Sequence, residues 1–160
     1  MAHMCSNLVN FLGTKEAIEH FNARLVMSKA GIDAAQDRIA YYTSRSELEK
    51  SLIEIYSADD DMTCWSAITP ITWQLSCSYE TKWKQHSDDL VAIAKHFKLD
   101  FINCYQEGLS FYGVDICIDG KNQNFEINEL AEGVNWDEVS QDLRKKVPTP
   151  LLVKYDTLIV

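Results

Sequence analysis

Residues 71–83 read ITWQLSCSYETKW, and residues 100–120 read DFINCYQEGLSFYGVDICIDG. In the first segment Ile71, Trp73, Leu75, Cys77 and Tyr79 alternate with Thr72, Gln74, Ser76, Ser78 and Glu80. A strict period of two sends one set of side chains to a buried face and predicts a strand. The second segment holds two aromatic and β-branched runs, broken at Glu107-Gly108 and closed by Asp119-Gly120. That pattern predicts two strands and tight turns. Between the segments, Leu90, Ile93, Ala94 and Phe97 recur at spacings of three and four, one apolar stripe of a helix. Strand, helix, strand, strand is the expected centre, with Trp73, Leu75, Ile93, Phe97 and Val114 buried together.

Upstream, SNLVNFL (6–12) reads as a first strand, ended by Gly13, with Thr14 as the N-cap of a helix running to about Ser28. Ile18, Phe21 and Leu25 form its apolar stripe, and Glu16 and Glu19 lie near the positive end of its dipole. Residues 29–60 read as a helical insertion. Ile32, Ala35 and Ile39 suggest one short helix, and Ser46-Glu47-Leu48-Glu49 is a capping box opening a second, with Leu48, Leu52 and Ile55 inward. Asp59-Asp60-Asp61 reads as a surface loop, and 62–68 as a short strand.

Downstream, NFEINEL (124–130) alternates like a returning strand, and 131–160 form a C-terminal extension. Asn135 caps a helix with Trp136, Val139 and Leu143 on its buried stripe, and Pro148 stops it. The final LLVKYDTLIV (151–160) is apolar enough to add a strand, cover an apolar surface or serve a homodimer.

At 160 residues the chain is expected to form one domain over 4–160, with Met1-Ala2-His3 reading as a foreign leader. No apolar run is long enough to span a membrane and no export signal is visible, so the expected location is cytoplasmic. Five cysteines without a CxxC pair fit reduced thiols there. The formal charge is −9. Residues 100–143 contain ten acidic groups and one basic, Lys121, which sums to −9, so the rest of the chain is neutral. Such a field repels nucleic-acid phosphates and attracts basic surfaces.

Several side chains could carry chemistry. Cys77, Cys104 and Cys117 fall on expected core strands, but close ligand pairs are missing and His20, His86 and His96 are dispersed. No metal and no cofactor is expected. Glu107 stands at a tight connection, and Glu126, Glu129 and Glu132 follow a strand; carboxylates so grouped can do acid–base work or form a solvated acidic face. Trp73, Trp83, Tyr105, Phe111 and Tyr112 would suit base stacking, yet the same strands carry Glu107, Asp115 and Asp119 in place of basic groups.

Taken together, CSNLVNFLG, YETKW, AKHFKLDF and YQEGLSFYG resemble a family of uncharacterised phage and plasmid proteins named for a protein of an aphid-symbiont bacteriophage. Cys5, Ser6, Asn7 and Gly13 match its first motif, and Thr81, Trp83, Phe97, Tyr105, Glu107, Phe111 and Gly113 its later ones. The tryptophan that precedes the cysteine in the family is absent, and Gly108 lies one place closer to Glu107. The resemblance implies a ferredoxin-like antiparallel sheet with helices on one face, and a mobile-element origin; it implies no activity.

The combined expectation is a non-enzymatic module that binds a basic host protein, but not nucleic acid or membrane, through Glu107, Asp115, Asp119, Glu126, Glu129 and Glu132. One form of it is a counter-defence inhibitor occupying a basic nucleic-acid groove. The alternatives are a small enzyme or ligand-binding domain using the carboxylates near Glu107 and Glu126, and a dimerising structural module.

Overall fold

The computed structural model describes residues 4–55, the backbone of 64–67, and residues 72–82, 85, 87–107, 111–128, 133 and 135–150. In order these form β1 (Met4–Gly13), α1 (Lys15–Ala34), α2 (Arg38–Thr43), α3 (Glu47–Ile55), β2 (Cys64–Ala67), β3 (Trp73–Lys82) and α4 (Ser87–Phe97). β4 (Asp100–Glu107), β5 (Phe111–Ile118), β6 (Lys121–Asn128) and α5 (Trp136–Lys146) follow. The fold is α+β. Six strands among the described residues make one sheet in the order β2-β3-β1-β4-β5-β6, and every neighbouring pair is antiparallel.

Local chemistry sets the element ends. Thr14 accepts a hydrogen bond from the Ala17 N–H at 3.2 Å, Ser46 one from Glu49 at 3.2 Å, and Asn135 one from Asp137 at 3.0 Å. Each satisfies an N–H that the first helical turn leaves open. Asp119 (φ 52°) and Gly120 (φ 79°) are both left-handed, the two-residue turn whose twist suits a hairpin. α1 runs past Ser28 to Ala34 because no proline interrupts it and one isolated glycine is tolerated inside a helix; Gly31 also leaves room for the Tyr41 ring. The single short helix expected from Ile32, Ala35 and Ile39 is therefore divided. Ile32 belongs to α1, Ala35 is its C-cap, and Ile39 lies on α2, 81% exposed.

Strand register sorts the core onto two faces. Val9 and Phe11, Leu75 and Cys77, Phe101 and Cys117 share the face covered by α1, α3 and α4, which contribute Ile18, Phe21, Leu25, Leu52, Ile55, Leu90, Ile93 and Phe97. Leu12, Ile102, Val114 and Ile116 point the other way and meet Leu143 and Val147 at α5. Helices thus lie on both faces, not one. Val114 is buried, but apart from Leu75 and Phe97, because its cross-strand partner Cys104 shares the parity of Ile102, not of Phe101. Trp136 is 40% exposed, its ring 6.0 Å from Tyr112, so Val139 and Leu143 carry the buried stripe of α5. Among the described residues, no helix is long and apolar enough to cross a membrane. Asp59-Asp60-Asp61, Trp83, His86 and the segment 151–160 lie outside the described residues.

Candidate functional site

The helix-covered face is apolar only at one end of the strands. Towards the other end, the positions in phase with Val9, Cys77, Phe101 and Cys117 are Asn7, Thr81, Asn103, Tyr105, Glu107 and Asp115, all buried. β6 adds Asn122, Asn124 and Glu126 on the same face, because Asn124 pairs with Asp115 and Glu126 with Gly113. The result is a polar band crossing β3, β1, β4, β5 and β6.

The hydrogen bonds of the band can be followed from one end. Asn7 Nδ2 faces Thr81 Oγ1 at 3.0 Å, Cys5 O at 3.1 Å and Tyr79 O at 3.4 Å. Two of these are backbone carbonyls, which only accept, so the amide orientation of Asn7 is forced and its oxygen points to β4. There it accepts from Asn103 Nδ2 at 3.1 Å, which turns the Asn103 oxygen away from β1. At the far side Asn124 Nδ2 donates both its protons, to Asp115 Oδ1 at 2.8 Å and to the Tyr105 hydroxyl at 2.6 Å. Tyr105 in turn donates to Glu126 Oε1 at 2.9 Å.

Tyr105 reaches β6 because Gly113 lies opposite it. A Cβ at Gly113 would stand 2.5 Å from Tyr105 Cζ and 2.9 Å from the Phe125 carbonyl oxygen. Tyrosine and glycine here are a cross-strand pair in which the ring occupies the missing side chain's space. Phe111 closes the other flank, its ring centroid 5.8 Å from that of Tyr105.

Polar atoms of the band are left without partners, four of them acceptors and one, the Tyr79 hydroxyl, a donor as well. Asp115 Oδ2, Asn103 Oδ1, Gln85 Oε1, Asn122 Oδ1 and Tyr79 Oη are all buried and have no hydrogen-bond partner. Asp115 and Asn103 are 0% exposed and are direct cross-strand neighbours. Burial pushes the Asp115 carboxyl above its ordinary range; the amides of Asn124, Gln85 and Asn122 pull it down, and the Glu126 charge raises it again. Gln85 and Asn122 therefore turn their amide N–H groups toward the Asp115 carboxyl and their unpartnered oxygens away from it. Burial also raises the Tyr105 and Tyr79 phenols.

Of the six carboxylates expected to form one acidic surface, the four among the described residues do not share one exposed surface. Glu107 and Asp115 are buried, Glu126 is half-buried and tied to Tyr105, and Glu129 and Glu132 lie outside the described residues. Asp119 is exposed in the β5–β6 turn, at the opposite end of β5 from Gly113 and Glu126. Glu107, Asp115 and Glu126 do share one face. The aromatics do not: Tyr105 and Phe111 face the helices, while Tyr112 faces away. The thiols do not converge either, since Cys104 is on the other face and β1 and β4 separate Cys77 from Cys117. Burial drives Cys5, Cys104 and Cys117 up to about 11, so each stays a thiol at neutral pH, the wrong form for a nucleophile. Among the described residues, no group of three or more His, Cys, Asp or Glu side chains could hold a metal ion.

Two hollows adjoin the band. Thr81 also lines a cavity of about 520 Å³ with Met4, Tyr42, Glu54, Glu80, Lys82 and Asp89. On the other face, a groove of about 490 Å³ is lined by uncharged groups including Ser6, Leu8, Asn10, Ser78 and Tyr112.

Sequence reasoning missed Asn7, Asn103, Gln85, Asn122 and Asn124. For Asn7 and Asn103 a signal was present: each is a polar residue in phase with buried apolar neighbours on its own strand. No protein-family model, curated protein or solved structure matches this chain.

Proposed function

We propose that this chain is a small ligand-binding domain on a ferredoxin-like core, with the polar band as its site. The ferredoxin-like reading is supported by the succession β1-α1-β2-β3-α4-β4, interrupted by α2 and α3 after α1, whose strands lie in the order β2-β3-β1-β4, all antiparallel, in a split βαβ arrangement. β5, β6 and α5 extend it beyond β4.

The observation that carries the ligand reading is the surplus of buried acceptors around Asp115. A buried polar group without a partner costs about 1–3 kcal/mol, and native proteins hold few of them. Several such oxygens in one band are accounted for if a ligand supplies the donors. A reading in which a basic partner docks on an acidic surface has less support, because Glu107 and Asp115 are withdrawn from solvent. The ligand reading is tested by following the side-chain amide resonances of Gln85, Asn103, Asn122 and Asn124 while cationic, neutral and anionic fragments are added to the whole chain. At least one fragment should shift them saturably. If none does, the band is purely structural.

A further inference from the structure

We infer that the groove on the α5 side of the sheet is a second site, separate from the band, and that it takes an uncharged saccharide. Its volume of about 490 Å³ falls within the ~300–1,000 Å³ usual for small-molecule sites. The sheet face is aliphatic where α5 covers it, at Leu12, Ile102 and Val114. Beyond that cover it changes to hydroxyls, amides and one ring. Leu8, 49% exposed, and its cross-strand neighbour Cys104 form an apolar floor. Ser6 and Gln106, paired across the same strands, stand at one end, with Tyr112 next to Gln106 on β5. Ser78 lies beside Leu8 on β3, and Asn10 and Gln74 close the end towards Leu12. None of these side chains is charged, in a chain of which 24% of residues are. Asn7 and Tyr105 also border the groove, but their side chains belong to the band. Glu80, the cross-strand neighbour of Ser6, shares this face and lies outside the groove.

An apolar floor ringed by amides and hydroxyls is the complement of a pyranose, whose C–H face is apolar and whose rim carries hydroxyls. Each rim hydroxyl both donates and accepts, and so does each serine hydroxyl and primary amide of the groove. Asn10 has a set orientation: its Oδ1 accepts from Ser76, which leaves its N–H groups for a ligand oxygen. Tyr112 is held against α5, its ring centroid 6.0 Å from that of Trp136 and its hydroxyl 3.5 Å from that of Ser140, so it forms a fixed wall. A phosphate, carboxylate or ammonium would lose hydration here with no opposite charge to meet it. A nucleobase gains most from aromatic faces to stack on, and among the described residues Tyr112 is the one ring whose side chain lines the groove.

The test uses the ¹⁵N-labelled whole chain at constant ionic strength, with side-chain amides as reporters: Asn10, Gln74 and Gln106 for the groove, Asn103, Asn122 and Asn124 for the band. The probes are the methyl pyranosides of glucose, galactose, mannose and N-acetylglucosamine, with cyclohexanol, glucose 6-phosphate and uracil for comparison. At least one pyranoside should shift the groove amides saturably and leave the band amides in place. Cyclohexanol, which has the ring without the rim, and glucose 6-phosphate, which adds a charge, should not. Gln106→Ala should weaken the response about three- to ten-fold, the worth of a hydrogen bond to one amide. Leu8→Glu, at a half-exposed position, plants a charge in the floor and should abolish the response. Unchanged band resonances show that each variant is folded. The inference is overturned if no pyranoside shifts the groove amides, if the shifts are confined to the band, or if cyclohexanol or glucose 6-phosphate does as well. Pyranoside binding that survives both substitutions overturns it too. A saturable shift of the groove amides by uracil alone overturns the saccharide assignment in favour of a base. The reading of the band as a ligand site is decided separately, by the band's own amides.

Discussion

Replacing Asp115 by Asn removes a buried charge and keeps the shape of the side chain. Asp115 Oδ1 already accepts from Asn124 at 2.8 Å, and an asparagine oxygen can accept the same bond. Oδ2 has no partner, nor has the oxygen of Asn103, its cross-strand neighbour. The new Nδ2 replaces one of these two unpartnered acceptors and supplies a donor beside the other. A buried unsatisfied acceptor costs about 1–3 kcal/mol, so Asp115→Asn should stabilise the unliganded protein by about that amount at neutral pH. For a chain of this length, each kcal/mol raises Tm by about 2–4 °C. The pH dependence has a definite sign. Burial raises the folded-state value above the ordinary 3.8, so the stability Asp115 contributes is present below that ordinary value. It is lost as pH rises towards the folded-state value, because the unfolded chain ionises first. Denaturant unfolding of both proteins across this window should show the advantage of the variant growing with pH and then levelling. A variant that is less stable at every pH would mean that the native carboxylate is ionised and held by the amides of Asn124, Gln85 and Asn122, and the reasoning would fail.

Three further outcomes are expected. Leu75→Ala should cost about 2–5 kcal/mol in denaturant unfolding, because Leu75 is fully buried between the sheet and its helices; a loss below about 1 kcal/mol would contradict that packing. Gly113→Ala should destabilise by about 1–3 kcal/mol and displace the Tyr105 ring, since the new methyl meets both that ring and a backbone carbonyl; unchanged Tyr105 resonances would rule the cross-strand pairing out. In the native protein Cys5, Cys104 and Cys117 should resist iodoacetamide at neutral pH, while denaturation should free all five cysteines of the chain for labelling; rapid native labelling of Cys5 would show a thiolate that burial ought to forbid.

The sequence by itself determined the local elements and one buried face of most of them. Period-two alternation marked β3, the three-and-four spacing of Leu90, Ile93, Ala94 and Phe97 marked α4, and Thr14, Ser46 and Asn135 marked helix starts, because strand pleat, helical pitch and capping act over a few neighbouring residues. The dipeptide Asp119-Gly120 likewise announced its turn, because both residues tolerate the left-handed angles they adopt there. Tertiary structure alone decided which elements meet. It sent Val114 to the α5 side and Asp115 to the helix-covered side, set α5 opposite α1, α3 and α4, and divided the acidic residues between a buried band and an exposed turn. The site followed from register: Asn7 lies 96 residues from Asn103 and becomes its neighbour only when β1 and β4 align, whereas Asp115 and Asn124, nine residues apart, are joined by the β5–β6 hairpin. Cross-strand distance depends on pairing between remote segments, and a pattern read along one strand does not contain it.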